Sequence, residues 1–208
     1  MNALMVVQQD SKRAVEPYMR FAKSGRRYYY LTPEKEPPLL QDLLYGLGGI
    51  VRGCGQWSRD YDVLRHSWVC YQHAFNQTRN DEFSIGVGYH DLPEATMHDL
   101  PSPLKVLLPD YAALYSQQEN YLFDLFKIPR LTKMSQDACH LIDRVVGDVE
   151  GEMWVKDWVP IPADDPRDLK VRADIRELIH RSIELHEDHI ISQLMYELGR
   201  YHKLAGLS

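Results

Sequence analysis

The sequence has 208 residues, of which 44% are hydrophobic and 26% are charged, and its formal net charge at pH 7 is -6. This length fits one domain of ordinary size with a substantial hydrophobic core. The acidic balance and the lack of a long basic run exclude a nucleic-acid polymer as the main partner, because binding one needs a concentrated positive face. A single nucleotide stays compatible with this charge, since one phosphate needs only a metal ion or a few local cations.

The cysteines and the N-terminal segment indicate where the protein works. Cys54, Cys70 and Cys139 form an odd set without CxxC spacing, which argues against a disulfide scaffold or a zinc ribbon and suits a reducing cytosol. The opening "MNALMVVQQDSKR" has too short an apolar run for a signal peptide. No window approaches ~18 consecutive apolar residues. We therefore expect a cytoplasmic protein without a membrane partner.

The first half of the chain changes from an irregular to a helical pattern. Residues 1–38 predict a leader that packs on the core, with the triple tyrosine at residues 28–30 as a short extended segment. From Leu39 onward the apolar residues have helical spacing. A second stripe predicts a buried helix, and it is formed by Val63, Ser67, Cys70 and Ala74.

The second half continues this helical pattern. Pro109 predicts a break or kink, and an amphipathic helix follows whose apolar side is formed by Ala138, Leu141, Ile142 and Val145. Residues 152–168 predict a proline-rich loop, and residues 171–203 predict one long amphipathic helix. The sequence thus indicates an all-α fold, with a leader (1–38), a core (39–150), and a loop plus C-terminal helix (151–208) in the same single domain.

A candidate metal site centres on the adjacent pair His90 and Asp91. His66 on an earlier predicted helix and Asp137 on a later one are candidates to complete it, which would bring two imidazoles and two carboxylates to one ion. Mixed nitrogen and oxygen ligands suit Mn, Co, Fe, Ni or Zn. Such an ion lowers the pKa of a bound water and polarises a phosphoryl oxygen. The alternative is that the pair provides only helix capping or surface polarity.

Three segments resemble the HD-domain phosphohydrolases, and within them the 5′-deoxynucleotidase-like branch of bacteria and phages. The first is "GLGGIVRGCGQWSRDYDVLRHSWV", similar to that branch's arginine segment and the helix that follows it. The second, "YHDLPEATMHDLPSPLK", resembles the branch's Tyr-His-Asp-x-x-Glu-x-x-x-x-Asp-(Leu/Ile)-Pro-(Thr/Ser)-Pro-x-Lys run. The third is "KMSQDA", which resembles the segment with the last ligand. Together they span about half of the chain.

The resemblance implies roles for individual residues. It implies one divalent metal ion held by His66, His90, Asp91 and Asp137, with Asp91 and Glu94 as catalytic residues. Glu94 would act as the acid/base group, and helical spacing from His90 and Asp91 is consistent with a shared face.

The resemblance also implies a substrate end of the site. Arg52 would clamp a phosphate, and a turn would contact the nucleotide through Asp99, Leu100, Pro101 and Ser102. His98 inherits no role, because that position is often Gly in the branch. One departure concerns the sugar: some members have a Trp directly after the arginine, whereas here Gly53 follows and the nearest tryptophan is Trp57.

The function implied by this resemblance is metal-dependent removal of phosphate from nucleotides, chiefly deoxynucleotides, either a 5′-deoxynucleotidase acting on monophosphates or a dATP-like triphosphohydrolase as in related phage enzymes. A homo-oligomer is expected, in the host cytoplasm if the protein is phage-encoded. The alternatives are a non-catalytic HD-fold protein that senses nucleotides and a cyclic-nucleotide phosphodiesterase. The His186 and His189 pair in "HEDH" is interpreted as a solvated face or an oligomer contact.

Overall fold

A computed structural model describes residues 17–162 and 165–207, with only the backbone described at residues 102 and 103. The fold is predominantly α-helical, which confirms the predicted class. The helices are α1 (Leu40–Gly48), α2 (Val63–Thr78), α3 (Asp81–Gly88), α4 (Glu94–Met97), α5 (Ser102–Lys105), α6 (Pro109–Leu125), α7 (Lys133–Trp154), α8 (Pro166–Glu184) and α9 (Glu187–Ala205). None of the helices in these ranges is both long and apolar enough to cross a membrane.

Helix α2 lies at the centre of the core and packs on α1, α3, α7, α8 and α9. Asp62 caps its start by accepting a hydrogen bond from the Arg65 backbone N–H, and Arg79 ends it in the left-handed conformation. The predicted stripe is buried as expected, and Trp68 is fully buried beside it. Since His66 lies on the same buried helix, its imidazole is held in the interior of the protein.

The segment before α1 forms a small antiparallel hairpin of β1 (Tyr18–Arg20) and β2 (Arg27–Tyr29). The extended segment expected at residues 28–30 is therefore largely β2, and residues 1–16 of the predicted leader lie outside the described residues. Tyr28 is fully buried and donates a hydrogen bond to Gln118 of α6. Tyr30 donates to the Thr96 carbonyl of α4 at 3.0 Å, so the hairpin supports the segment that follows His90 and Asp91.

The C-terminal region corrects the prediction of one long helix over residues 171–203. The chain breaks between α8 and α9, where Leu185 and His186 are extended. Arg65 of α2 donates to the carbonyls of Ser182 and Leu185 at 3.2 Å each, satisfying groups at the end of α8. The His186 side chain then caps α9 by accepting from the Asp188 N–H. Neither Gly nor Pro occurs at this break. The hydrogen bonds from Arg65 of α2 stabilise it instead.

Candidate metal centre and pocket

The metal-facing group consists of His66, His90, Asp91 and Asp143, contributed by α2, by the turn after α3, and by α7. The ligand atoms of His66, His90 and Asp91 lie within 4.8 Å of one another, so this group could hold a metal ion. Asp143 Oδ1 lies 3.0 Å from His66 Nε2 and 3.9 Å from His90 Nε2, and Asp91 Oδ2 lies 3.2 Å from His90 Nε2. Ligand atoms about 2.0–2.2 Å from a common ion lie roughly 3–4 Å apart, so the donor set fits a transition metal.

The structure places Asp143 beside the two imidazoles, whereas Asp137, which the resemblance implies as the fourth ligand, lies elsewhere on α7. Both residues are on α7, but Asp137 is exposed, whereas Asp143 contacts both imidazoles. Six residues separate two positions by about 9 Å along a helix and by about 240° around it. One ion therefore cannot contact both side chains on this helix. The signal for Asp143 was present, since it lies four residues after the buried Cys139 and three before the buried Val146.

Both imidazoles are oriented through Nδ1. His90 Nδ1 lies 2.7 Å from the Val87 carbonyl, and His66 Nδ1 lies 2.8 Å from Glu150 Oε1. A carbonyl or carboxylate oxygen can only accept, so each Nδ1 carries a hydrogen and each Nε2 is the nitrogen that faces the group. Partners of this kind are typical of metal-ligating histidines. No motif or spacing in the sequence indicates the role of Glu150.

Charges within the group shift its pKa values strongly. Burial lowers the pKa of His90, but the carboxylates of Asp91 and Asp143 outweigh this effect and raise it to about 10. Burial likewise opposes ionisation of Asp143, whereas its contacts with His66 and His90 hold its pKa well below the ordinary value. These contacts keep the Asp143 carboxylate ionised beside the two imidazoles.

Glu94 starts α4 directly after the ligand pair. Pro93 is the N-cap residue of this short helix. The side chain is buried, with Oε1 2.9 Å from Lys105 Nζ, and Oε2 has no hydrogen-bond partner in the described chain. Burial first, and then the charges of Asp91 and Asp99, raise the pKa of Glu94 to about 8. A carboxyl group that titrates near neutral pH suits proton transfer.

A pocket of about 720 Å³ opens beside the metal-facing group. It contains Asp91, Asp143 and Glu94, together with predicted substrate residues Arg52, Asp99, Leu100 and Pro101. Ser102 begins α5, but its side chain lies outside the described part of the structure. The pocket also contains basic and aromatic residues that the sequence did not assign to the site, namely His140, Arg144, Trp57 and Trp158, with Lys105 at the α5 end.

Arg52 is fixed at the base of a short loop. Its N–H donates to the Tyr61 carbonyl at 2.8 Å, and its Nε lies 2.9 Å from Glu150 Oε2. The next residue, Gly53, has φ 61°, and a Cβ there would lie 2.2 Å from Trp57 Nε1. The Trp57 ring thus covers Gly53 and lines the pocket next to Arg52, although Trp57 comes four residues after Gly53 in the sequence.

The other histidines considered in the sequence, His98, His186 and His189, are not part of the metal-facing group. His98 is exposed and has φ 68° and ψ 154°, a region that essentially only glycine populates. This backbone geometry explains a preference for glycine at the position without any chemical role. His186 caps α9 and His189 is exposed, which agrees with a solvated face.

Comparison with known proteins gives a relative but no function. The chain is similar to the "Uncharacterized protein YfdR" of Escherichia coli (strain K12), with 29% identity over 143 residues, which cover 65% of this chain and 78% of that protein. No protein-family model matches the sequence. The resemblance to HD-domain phosphohydrolases therefore stays a prediction that depends on the motifs and on the geometry of the pocket.

Proposed function

We propose that this protein is a metal-dependent phosphohydrolase that removes phosphate from nucleotides, with deoxynucleotides as the favoured class. The observation that carries the proposal is the combination of a metal-facing group and an adjoining pocket that contains Arg52 and Arg144. Two imidazoles and two carboxylates converge beside a cavity of about 720 Å³. This volume falls in the usual range for small-molecule sites. The pocket is lined by both carboxylates and cations, and Arg52 and Arg144 are the guanidinium groups in it that could pair with phosphate oxygens.

The donor set assigns the role of each residue around the ion. His66 and His90 would ligate through Nε2, and Asp91 and Asp143 through carboxylate oxygens. A divalent ion held there supplies Lewis-acid activation of a phosphate ester. His90 Nε2 is buried and makes no hydrogen bond to the described residues, although Asp91 Oδ2 lies 3.2 Å away. A buried polar atom without a partner is costly, and a metal ligand role removes that cost.

The chain's own residues account for substrate binding and proton transfer. Arg52 uses Nε for Glu150, which leaves its terminal nitrogens for phosphate oxygens. Glu94 holds a proton at Oε2 and can exchange it with a reacting oxygen. Lys105 holds Oε1 and fixes the carboxyl group in place. Leu100, Pro101 and Trp57 supply apolar walls for the nucleoside.

A substrate panel tests this proposal. The protein loaded with Mn, Co or Zn is incubated with ribo- and deoxynucleoside mono- and triphosphates and with cyclic nucleotides, and phosphate release is measured. We expect turnover of at least one deoxynucleotide. Tight nucleotide binding without turnover would instead indicate a sensing protein, and turnover of cyclic nucleotides alone would indicate a phosphodiesterase.

A variant of Glu94 separates catalysis from metal binding in the same assay. Glu94→Gln keeps the size and removes the titratable group, so we expect kcat to fall about 10²–10⁴-fold, with the metal affinity unchanged in calorimetry. Wild-type rates in this variant would contradict the acid/base role of Glu94.

A further inference from the structure

Glu150 is a fully buried carboxylate near the C-terminal end of α7, and it bridges two parts of the site. Its Oε1 lies 2.8 Å from His66 Nδ1, and its Oε2 lies 2.9 Å from Arg52 Nε. A buried charge is strongly unfavourable unless it is paired and hydrogen-bonded. Here each carboxylate oxygen has one donor: His66 belongs to the metal-facing group, and Arg52 lines the pocket.

The contact with His66 determines which ring nitrogen is available to an ion. Because a carboxylate only accepts hydrogen bonds, Glu150 keeps the hydrogen on Nδ1 and the lone pair on Nε2. Nε2 is the atom that lies 3.0 Å from Asp143 Oδ1 and 3.8 Å from Asp91 Oδ2. The carboxylate thus aims the imidazole at the other ligands from the opposite side of the ring.

The contact with Arg52 determines how the guanidinium faces the pocket. Glu150 takes the Nε–H, so the two terminal nitrogens stay available. Helix α7 passes close to the arginine at Gly147. A Cβ added to Gly147 would lie 3.6 Å from one of these nitrogens, NH2. Arg52 and Gly147 both line the pocket. One carboxylate therefore holds a metal ligand and the candidate phosphate-binding group in fixed relative positions.

We propose that Glu150 is a positioning residue that sets His66 for metal binding and Arg52 for phosphate binding. It touches neither ion nor substrate, and it acts through these two side chains. The Arg52 half of the inference rests on the proposed nucleotide phosphohydrolase function, whereas the His66 half depends only on the metal-facing group. The two halves can therefore be tested by different measurements.

Glu150→Gln is the decisive substitution, because an amide cannot satisfy both partners. If its oxygen accepts from Arg52 Nε, its NH2 group faces His66 Nδ1 and favours the tautomer with the hydrogen on Nε2, which blocks the ligand lone pair. If the oxygen accepts from His66 instead, the NH2 group opposes the Arg52 Nε–H. We expect Zn or Co affinity to fall about 10–100-fold in the first case, and KM for the nucleotide to rise at unchanged metal affinity in the second.

Glu152→Gln is the matched control. Glu152 lies on the same helix and pairs with Arg172 and Arg176 at 2.7 and 2.8 Å, away from the metal-facing group. We expect this variant to lose stability at most, with Co titration and KM as in the wild type. Equal behaviour of the two variants would reduce Glu150 to a purely structural residue and overturn the proposal.

Glu150→Asp keeps the inference testable if the Gln variant does not fold. It retains the buried negative charge, but one methylene fewer withdraws the carboxylate from at least one partner, so metal affinity or KM must change. A folded Asp variant with both values unchanged would overturn the proposal. If the wild type hydrolyses no nucleotide, the proposed function fails, while Co titrations of these variants still decide the His66 half.

Discussion

Helix α7 contributes carboxylates to two groups of charged residues, whose polar atoms are satisfied in different ways. On one side of the helix, Asp143 belongs to the metal-facing group and Glu150 contacts His66 of that group. On the other side, a loop-anchoring group is formed by Asp148, Glu152, Arg172 and Arg176. In this second group Asp148 accepts from Trp158 Nε1 at 2.9 Å, from the Ile161 N–H at 3.0 Å, and from Arg172. Arg172 and Arg176 both pair with Glu152.

The loop-anchoring group reaches the pocket through Asp148, but its buried polar atoms are paired, whereas several atoms near the metal-facing group are not. Within the described ranges, the buried side-chain atoms without a hydrogen-bond partner are Ser67 Oγ, Tyr89 OH, His90 Nε2 and Glu94 Oε2. All of them lie in the two short segments that carry the predicted ligands and acid/base residue, and none belongs to the loop-anchoring group. Leaving such an atom unsatisfied costs about 1–3 kcal/mol. Unsatisfied buried atoms, and not buried charge as such, therefore distinguish the surroundings of His66 and His90 from the loop-anchoring group.

The largest expected effect distinguishes the two carboxylates of α7 that compete for the role of fourth ligand. Asp143→Asn should abolish turnover and weaken Zn or Co binding by more than the roughly 10–100-fold that outer partners of a metal site contribute. Asp137→Asn, on the exposed face of the same helix, should change neither. Calorimetric titration of both variants measures this difference, and the reverse result would restore the assignment made from the sequence.

Loss of Asp148 should affect stability instead of chemistry. Asp148→Asn removes the charge of one of the two carboxylates that pair with Arg172, and Glu152 remains, so we expect the free energy of unfolding at pH 7 to fall by about 1–3 kcal/mol, measured by urea denaturation. Metal affinity should stay within twofold of the wild type. A clear loss of metal affinity would show that the two groups on α7 are not independent.

Asp148→Asn should also change how the free energy of unfolding depends on pH. Burial alone raises the pKa of Asp148, but hydrogen bonds from Arg172, Trp158 and Ile161 outweigh this effect and lower it. Because the folded pKa lies below the unfolded value of about 3.9, Asp148 stabilises the fold fully above that pH. This contribution is lost as the pH falls through the folded pKa. Unfolding free energy should therefore decrease less steeply in acid for Asp148→Asn than for the wild type.

The sequence was sufficient for the features of the site that depend on local order. His90, Asp91 and Glu94 are neighbours in the chain, and His66 lies on a helix whose apolar stripe is unambiguous. Asp143 and Glu150 were missed because their roles depend on the rotation of α7. A predicted apolar side that included Leu141 placed the buried face wrongly, since Leu141 is 54% exposed. One residue on a helix corresponds to about 100°, so a small error in the stripe selects different carboxylates.

The break before α9 was missed for a related reason. Apolar periodicity continues through Leu185 and His186, and only the hydrogen bonds from Arg65 of α2 show where α8 ends. Contacts between residues far apart in sequence leave no local signal. Metal ligands supplied by separate helices are subject to the same limit, which is why the fold class was easier to predict than the complete donor set.

The smallest expected effect concerns His98, which lies between the ligand segment and the pocket turn but has no unsatisfied buried atom. Its backbone strain of roughly 1–3 kcal/mol should be relieved in His98→Gly, partly offset by the larger chain entropy of glycine in the unfolded state. We expect a net gain of about 1 kcal/mol in urea denaturation, with unchanged metal affinity and turnover.

His98→Ala retains a Cβ at the same φ of 68° and should not gain stability. If Ala stabilises as much as Gly, the gain comes from removing the imidazole and not from the backbone. If Gly reduces turnover, His98 belongs to the pocket chemistry, and the distinction between satisfied and unsatisfied groups is incomplete at that turn.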